Sequence, residues 1–255
     1  MVVSASSRAV QQQRHPAWPP EGPAMWITSF MGRDITSPAS EPAPPPEALF
    51  PCAFLIHQEP GVAGPAHFHV ANEFQIVVQG GGLFGKEAVD GICVHYAGAY
   101  SPYGPLLAGT DGLSYMTLRD TYDGGAHIMP AKRDLLKAAH RKPRALLKKC
   151  GPASAPSALR TLRAPECRPV VPLHEDGLAA WLYRIPPGGS SCGENPADGG
   201  GQFWLVVGGE QSERGGSLPV RSCTFVSADE PAFRLQAGAA GLEILALQFP
   251  QRREA

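Results

Sequence analysis

Two histidines and a glutamate lie close together in the segment GVAGPAHFHVANEFQIVVQG, which runs from Gly61 to Gly80. His67 and His69 are separated by one residue, and Glu73 follows four residues after His69. Residues i and i+2 of a β-strand face the same side, so two imidazoles at this spacing can share a metal ion. Two histidines and one carboxylate suit Fe(II), Mn(II), Ni(II) or Zn(II). The pattern predicts a divalent metal site; two rim histidines beside a solvated glutamate are the alternative.

Glu73 can join the histidines only if the chain reverses between them. Along one straight strand Glu73 would lie about 20 Å from His67. The segment VAN, ending at Asn72, is where we expect the reversal, because asparagine is a common turn residue. Glu73 then begins the adjacent antiparallel strand, on which it shares a face with Gln75. Gln75 is therefore an additional neutral candidate for binding metal-bound water or a substrate.

The elements around this segment predict an all-β fold. Short runs rich in β-branched and aromatic residues are bounded by glycine, proline or aspartate, which is typical of strands. In the first half these runs are MWITSF, CAFLIHQ, EFQIVVQ, ICVHYA and LSYMTLR, and in the second half AAWLYRI, QFWLVVG, SCTFVSA, FRLQA and LEILALQF. Between the halves, the basic segment Pro130–Cys150 is predicted to be helical, with a break at Pro143. We interpret it as a solvated linker face; a patch for an anionic partner is the alternative.

The two halves repeat at an offset of 129 residues. Residues 73–119 align without a gap on residues 202–248, and twelve of the 47 positions are identical. One fixed period over this length indicates two copies of one all-β unit. The predicted organisation is a flexible N-terminal tail at 1–23, a first all-β unit at 24–125, a helical or irregular linker at 126–168, and a second all-β unit at 169–250.

Composition limits the classes of partner. The formal net charge of −1 over 255 residues gives no overall field for nucleic acid or an anionic membrane. No run of 18 apolar residues is present, and the N-terminus lacks the apolar segment of a signal peptide, so we expect a cytoplasmic protein. The six cysteines form no C-x-x-C pair and are expected to be reduced thiols. A small-molecule ligand or substrate and a monomer or homodimer are the remaining expectations.

The segment Gly61–Gly80 resembles the first motif of the cupin family, G-x5-H-x-H-x3-E-x6-G, and meets it in full. With the repeat, residues 24–249 resemble a bicupin, which has two jelly-roll barrels in one chain. The resemblance implies that His67, His69 and Glu73 bind a divalent ion inside the N-terminal barrel. It also implies a metal-dependent enzyme acting on a small organic substrate, with oxygenase chemistry as a frequent outcome. A non-catalytic cupin that binds or senses a small molecule is the alternative.

The second cupin motif, G-x5-P-x-G-x2-H-x3-N, is only half present. Its P-x-G turn is matched at residues 102–104, but Leu107 stands where the last histidine ligand belongs. His95 or His57, both on predicted strands, are candidates to replace that ligand. Tyr103 lies within the turn itself and is a candidate for lining the mouth of the site.

The second copy lacks the ligand pattern. At the offset of 129, the three candidate ligands correspond to Pro196, Asp198 and Gln202, and Gln75 corresponds to Trp204. A proline side chain cannot coordinate a metal, and one aspartate with one amide is a poor site for a first-row metal ion. We therefore expect the C-terminal copy to be structural and any chemistry to belong to the first copy.

Overall fold

The computed structural model describes residues 1–10, 12–15, 25–33, 42–45, 47–213 and 216–252. Strands dominate these residues, and the helices are short. The strands are β1 (Val2–Ala5), β2 (Gln12–His15), β3 (Met25–Met31), β4 (Cys52–Gln58), β5 (Ala63–Gly64), β6 (His67–Phe68), β7 (Glu73–Phe84), β8 (Glu87–Asp90), β9 (Ile92–Ala97), β10 (Leu106–Arg119), β11 (His127–Ile128), β12 (Ala145–Gly151), β13 (Glu166–Val171), β14 (Ala179–Ile185), β15 (Ser190–Cys192), β16 (Gln202–Glu213), β17 (Gly216–Pro219), β18 (Cys223–Val226) and β19 (Arg234–Gln248). The helices are α1 (Arg133–Ala138), α2 (Pro156–Thr161) and a 3-10 turn at Pro196–Asp198.

The chain divides into two compact units. The first unit comprises residues 11–151, and the second comprises residues 1–10 and 152–255. The first contains a nine-stranded sheet with the order β12-β9-β7-β10-β4-β3-β2, to which β5 and β8 are added. The second contains an eight-stranded sheet with the order β1-β18-β16-β19-β14-β13, to which β15 and β17 are added. Neighbouring strands pair antiparallel in both sheets, as expected for an all-β fold of repeated units.

The sequence repeat is matched by a repeat of strand register. Glu73 pairs with Ala97 on one side, and 129 residues later Gln202 pairs with Val226. Both copies have a register shift just before a left-handed glycine, with φ of 73° at Gly80 and 67° at the equivalent residue of β16. A Cβ atom on Gly80 would overlap a backbone carbonyl of the neighbouring strand, so glycine is required there.

The expected loose N-terminal tail at residues 1–23 is wrong for the first residues of the chain. Val2–Ala5 forms β1, which pairs along its length with β18 of the second unit. The ammonium group of Met1 donates to Ser227 Oγ at 2.5 Å and to Glu230 Oε1 at 2.6 Å. Pairing with an otherwise open sheet edge orders these residues. Residue 11 and residues 16–24 of the predicted tail lie outside the described residues.

The basic segment is mostly not helical. Helix α1 covers only six residues, and the following ALLKKCG forms β12 at the edge of the nine-stranded sheet. His140 has a φ of 48°, and Pro143 follows it, so the helix cannot continue. Leu147 packs against the core of the first unit, which favours the strand. The predicted linker at 126–168 is thus divided: β12 belongs to the first sheet, while β13 pairs with β14 in the second.

The cysteines and the helices bear on two further predictions. All six cysteines are free thiols, as expected from their spacing. In the part of the chain that the structure describes, no helix is both long enough and apolar enough to cross a membrane.

Candidate functional site

The chain bends between the histidines and Glu73 at the expected place. His67 lies in the two-residue strand β6, residues 70–72 form the bend, and Glu73 begins β7. The side-chain oxygen of Asn72 accepts a hydrogen bond from the Ala99 N–H at 2.9 Å, which fixes the end of the bend. The predicted antiparallel pairing across the bend is wrong: β6 pairs with β11 instead of β7, and His67 also forms a bridge with Tyr103.

The structure brings the three predicted ligands together. Glu73 is fully buried, and its Oε2 atom lies 4.0 Å from Nε2 of His69, which is also buried. The His67 and His69 rings have centroids 5.2 Å apart and are nearly perpendicular. His67, His69 and Glu73 thus lie in one cluster, although β6 and β7 do not pair with each other.

An arginine that the sequence motif does not contain stands among them. Arg119, the last residue of β10, lies directly opposite Glu73 in the sheet. Its Nε and Nη2 atoms donate to Glu73 Oε2 at 3.0 and 2.9 Å, and Nη2 also donates to His69 Nε2 at 3.1 Å. The guanidinium carbon lies 5.3 Å from the centre of the Phe54 ring. Arg119 is therefore a buried cation held by two of the three predicted ligands.

Asp123 orients His69 from the other side. Because Arg119 donates to Nε2 of His69, the ring proton is on Nδ1, which donates to Asp123 Oδ1 at 2.8 Å. The backbone N–H groups of Val70 and Gly125 also donate to this carboxylate, each at 2.8 Å. Burial alone would raise the pKa of Asp123, but the bond from His69 and the charge of Arg119 hold it well below its ordinary value. Asp123 is thus a second buried carboxylate anion, and the motif did not predict it.

Tyr103 links the remaining groups. Its hydroxyl donates to Glu73 Oε1 at 2.5 Å, accepts from Gln75 Nε2 at 3.0 Å and lies 2.9 Å from His67 Nε2. Burial and the nearby Glu73 raise the pKa of Tyr103 well above its ordinary value, so the phenol stays protonated. For Glu73, burial would raise the pKa, but His69, Arg119 and the Tyr103 bond together lower it, so the group is an anion. Tyr103 therefore lies among the candidate ligands, bonded to Glu73.

Gln75 and His95 extend the network further into the unit. His95 Nδ1 donates to Gln75 Oε1 at 3.0 Å, and burial lowers the pKa of His95 to about 4. Gln75 and His95 are therefore linked to the site through Tyr103. His57 is instead bonded through Nδ1 to Ser114 Oγ at 2.8 Å, and Leu107 is 38% exposed. Neither of these last two joins the described contacts around Glu73.

Together these side chains form a polar cluster. Its members share hydrogen bonds with one another inside the first unit. They are His67, His69, Glu73, Gln75, His95, Tyr103, Arg119 and Asp123.

The polar cluster, as arranged, does not fit a metal ion. Both oxygens of Glu73 accept hydrogen bonds from Arg119 or Tyr103, and Nε2 of His69 accepts one from Arg119. Two unit positive charges 4 Å apart repel by about 4 kcal/mol at an effective dielectric constant of 20, and a divalent ion would be repelled more. Within the described ranges, no three His, Cys, Asp or Glu side chains are arranged to hold a metal ion.

The second unit replaces this cluster with neutral groups. Gln202 Nε2 donates to Gln248 Oε1 at 2.8 Å, at the positions that correspond to Glu73 and Arg119. The indole of Trp204, which is fully buried, donates to Gln202 Oε1 at 3.1 Å. A bulky ring thus fills the place of Gln75, as the sequence suggested.

Comparisons with known proteins give matches in structure but not in sequence. No protein-family model matches the chain, and no match was found among curated proteins. A bacterial pirin from Escherichia coli, solved in complex with nickel(II), superposes with a TM-score of 0.59 at 14% identity, covering 99% of this chain and 100% of the pirin. A putative dioxygenase from Nostoc punctiforme gives 0.58 at 11% identity, covering 100% of this chain and 85% of the other. Bacillus subtilis oxalate decarboxylase, described with Mn(II) centres, gives 0.58 at 10% identity, covering 99% and 78%. At these identities the likeness shows the fold alone.

Proposed function

We propose that this chain, whose fold is that of the cupins, binds a small uncharged organic molecule with hydroxyl or amine donors in its first unit. It does so without a resident metal ion. The observation that carries the proposal is a pair of hydrogen-bonding atoms whose capacity the described residues leave unused. These atoms are His95 Nε2 and Thr117 Oγ1.

His95 Nε2 is a free acceptor. His95 uses Nδ1 as the donor, to Gln75 Oε1 at 3.0 Å, so Nε2 carries the lone pair. His67 differs, because its Nε2 faces the Tyr103 hydroxyl at 2.9 Å. A ligand that offers a hydrogen-bond donor would satisfy His95 Nε2.

Thr117 adds a buried hydroxyl in the same row as His95. Thr117 pairs with Gln75, and Gln75 pairs with His95, so the three residues form one row across β10, β7 and β9. Thr117 is 1% exposed, and its Oγ1 has no hydrogen-bond partner among the described residues. A buried polar group without a partner costs about 1–3 kcal/mol, so such a group calls for a water or a ligand.

The charges of the polar cluster favour an uncharged molecule over an anion. Glu73 and Asp123 are buried anions, while Arg119 supplies one buried positive charge. Burial lowers the pKa of His67 and of His95 to about 4, so neither adds positive charge at pH 7. His69 is neutral because its Nε2 accepts from Arg119, so the interior carries an excess negative charge, which repels carboxylates and phosphates.

The metal-dependent oxygenase implied by the sequence resemblance finds less support. Pirin with nickel(II) and oxalate decarboxylase with Mn(II) centres share the fold, but they share only 14% and 10% of their residues with this chain. An ion at His67, His69 and Glu73 would have to displace Arg119 from two of its partners. For this reason we propose binding, and not metal-dependent turnover, as the function.

Ligand-observed NMR with matched pairs of probes tests the proposal. Catechol and glycerol serve as uncharged donors, and benzoate and glycerate as anionic counterparts. We expect the uncharged probes to bind the wild-type protein and to lose binding in Thr117→Val and His95→Gln. Thr224→Val, which changes the second unit, should leave binding intact. Tighter binding of the anions, or binding that survives both first-unit variants, would overturn the proposal.

A further inference from the structure

We infer that the guanidinium of Arg119 takes the place of a metal ion as the fixed cation of the polar cluster. In doing so it closes a latent divalent-metal site formed by His67, His69 and Glu73. The inference concerns the same site as the proposed function and rests on it for the absence of a resident metal. It adds the identity of the group that excludes the ion and the means of reversing that exclusion.

His69 is oriented as a metal-binding histidine is. Its Nε2 lone pair points at Arg119, while its Nδ1–H is held by Asp123. A carboxylate on the far nitrogen and a free lone pair on the near one is the arrangement by which proteins prepare a histidine for a metal ion. In this chain a guanidinium N–H at 3.1 Å receives that lone pair instead.

Arg119 already compensates the charge on Glu73. This carboxylate is fully buried, and a buried carboxylate anion needs a cation or several hydrogen-bond donors. Arg119 supplies two donors to Oε2 and, with Tyr103 on Oε1, satisfies the group. The compensation that an ion would provide is therefore already present within the chain.

The second unit has an uncharged pair at the equivalent positions. The positions equivalent to Glu73 and Arg119 hold Gln202 and Gln248, which are bonded to each other. Carboxylate and cation are both absent there and both present in the first unit. The arginine and the carboxylate therefore occur together or not at all, as a metal ion and its carboxylate ligand would.

The test measures nickel bound to untagged protein after removal of free ions, in the full chain. Wild type should hold close to none, and Arg119→Ala should hold a stoichiometric amount. Arg119→Lys should stay empty because the ammonium keeps a positive charge in the site. The double variant Arg119→Ala/His69→Ala should also stay empty because it lacks a ligand.

Thermal unfolding gives a second readout. Removal of Arg119 leaves Glu73 without its cation, so the Tm of Arg119→Ala should fall below that of wild type. At a nickel concentration about 100 times the Kd, the Tm of this variant should rise by roughly 5–10 °C. The Tm of wild type should not respond. Arg119→Gln, which copies Gln248 and keeps more of the side-chain volume, provides the same measurement if the alanine variant does not fold.

The outcomes separate this inference from the proposed function. Stoichiometric nickel in wild type that is lost in His69→Ala would overturn both. Folded Arg119→Ala and Arg119→Gln that bind no more nickel than the double variant would overturn the inference alone. Failure of catechol and glycerol to bind the wild-type protein, together with the expected nickel results, would overturn only the proposed function.

Discussion

Arg119 and Glu73 face each other across β10 and β7, and 129 residues later Gln248 and Gln202 face each other across β19 and β16. The first pair is a buried ion pair at 2.9 Å, and the second is a neutral amide pair at 2.8 Å. One backbone register therefore accommodates either a charged or an uncharged pair. The two residues of each pair behave as one structural unit.

This relationship predicts that single and double substitutions have very different costs. Arg119→Gln leaves a buried carboxylate without its cation and should lower the free energy of unfolding by about 3–5 kcal/mol. Arg119→Gln with Glu73→Gln copies the second unit and should recover part of that loss, because the Glu73 charge is removed with its cation while Asp123 keeps its hydrogen bonds from His69, Val70 and Gly125. Urea unfolding followed by circular dichroism measures both. A double variant less stable than the single one would contradict the pairing argument.

Tyr103 allows a test of the short contact to Glu73. Tyr103→Phe removes a hydroxyl that bonds a carboxylate anion and accepts from Gln75, so the free energy of unfolding should fall by about 1.5–3 kcal/mol. Tyr100→Phe is the matched control. The Tyr100 hydroxyl has no hydrogen bond among the described residues, so this change should stay within about 0.5 kcal/mol. Equal effects of the two substitutions in urea unfolding would disprove the role given to Tyr103.

The His-x-His spacing predicted that the two imidazoles and Glu73 converge, but the pairing that holds them is not local, since β6 pairs with β11 and His67 forms a bridge with Tyr103. Arg119 could not be found in this way, since it lies 46 residues after Glu73 and reaches it only through the register of β10. A signal was nevertheless present in the repeat. At the offset of 129, glutamate changes to Gln202 and arginine changes to Gln248. A paired loss of opposite charges indicates a contact.

The edges of the sheets were harder to predict than their centres. Strands β4, β9 and β14 match the predicted runs residue for residue, and each has partners on both sides. Strands β1 and β12 lie at sheet edges and were predicted as a tail and as a helix. An edge strand is defined by the partner it pairs with, and a short basic segment has little intrinsic preference to oppose that pairing.

Replacing Thr117 by valine should raise the stability of the protein and abolish the proposed ligand binding. Thr117→Val removes a buried hydroxyl that has no described hydrogen-bond partner while it keeps the shape of the side chain. The free energy of unfolding should rise by about 1 kcal/mol, since an unmet polar group is lost. Thr224→Val is the contrast: Thr224 Oγ1 lies 2.9 Å from Ser4 Oγ, so its removal should cost about 1 kcal/mol. A destabilised Thr117→Val in urea unfolding would show that the hydroxyl is satisfied.

The pH dependence of stability should report the buried His95. Burial, the largest effect, lowers its pKa from 6.5 to about 4; Glu73 opposes this shift, and His67 adds to it. Between these two values the unfolded chain binds a proton that the folded chain does not. The contribution of His95 is therefore complete above pH 6.5 and is lost as the pH falls toward 4.

The expected slope is about 1.4 kcal/mol per pH unit for one such histidine. His95→Gln removes the titrating group, so the difference in unfolding free energy between wild type and this variant should change with that slope from pH 6.5 to 4.5. The difference should be constant between pH 7 and 8.5, where the histidine is neutral in both states. The carboxylates Glu73 and Asp123 do not produce this slope, because their lowered pKa values confine their effect to lower pH. Urea unfolding at intervals of half a pH unit measures the difference, and a flat difference from pH 6.5 to 4.5 would show that His95 is protonated in the folded protein.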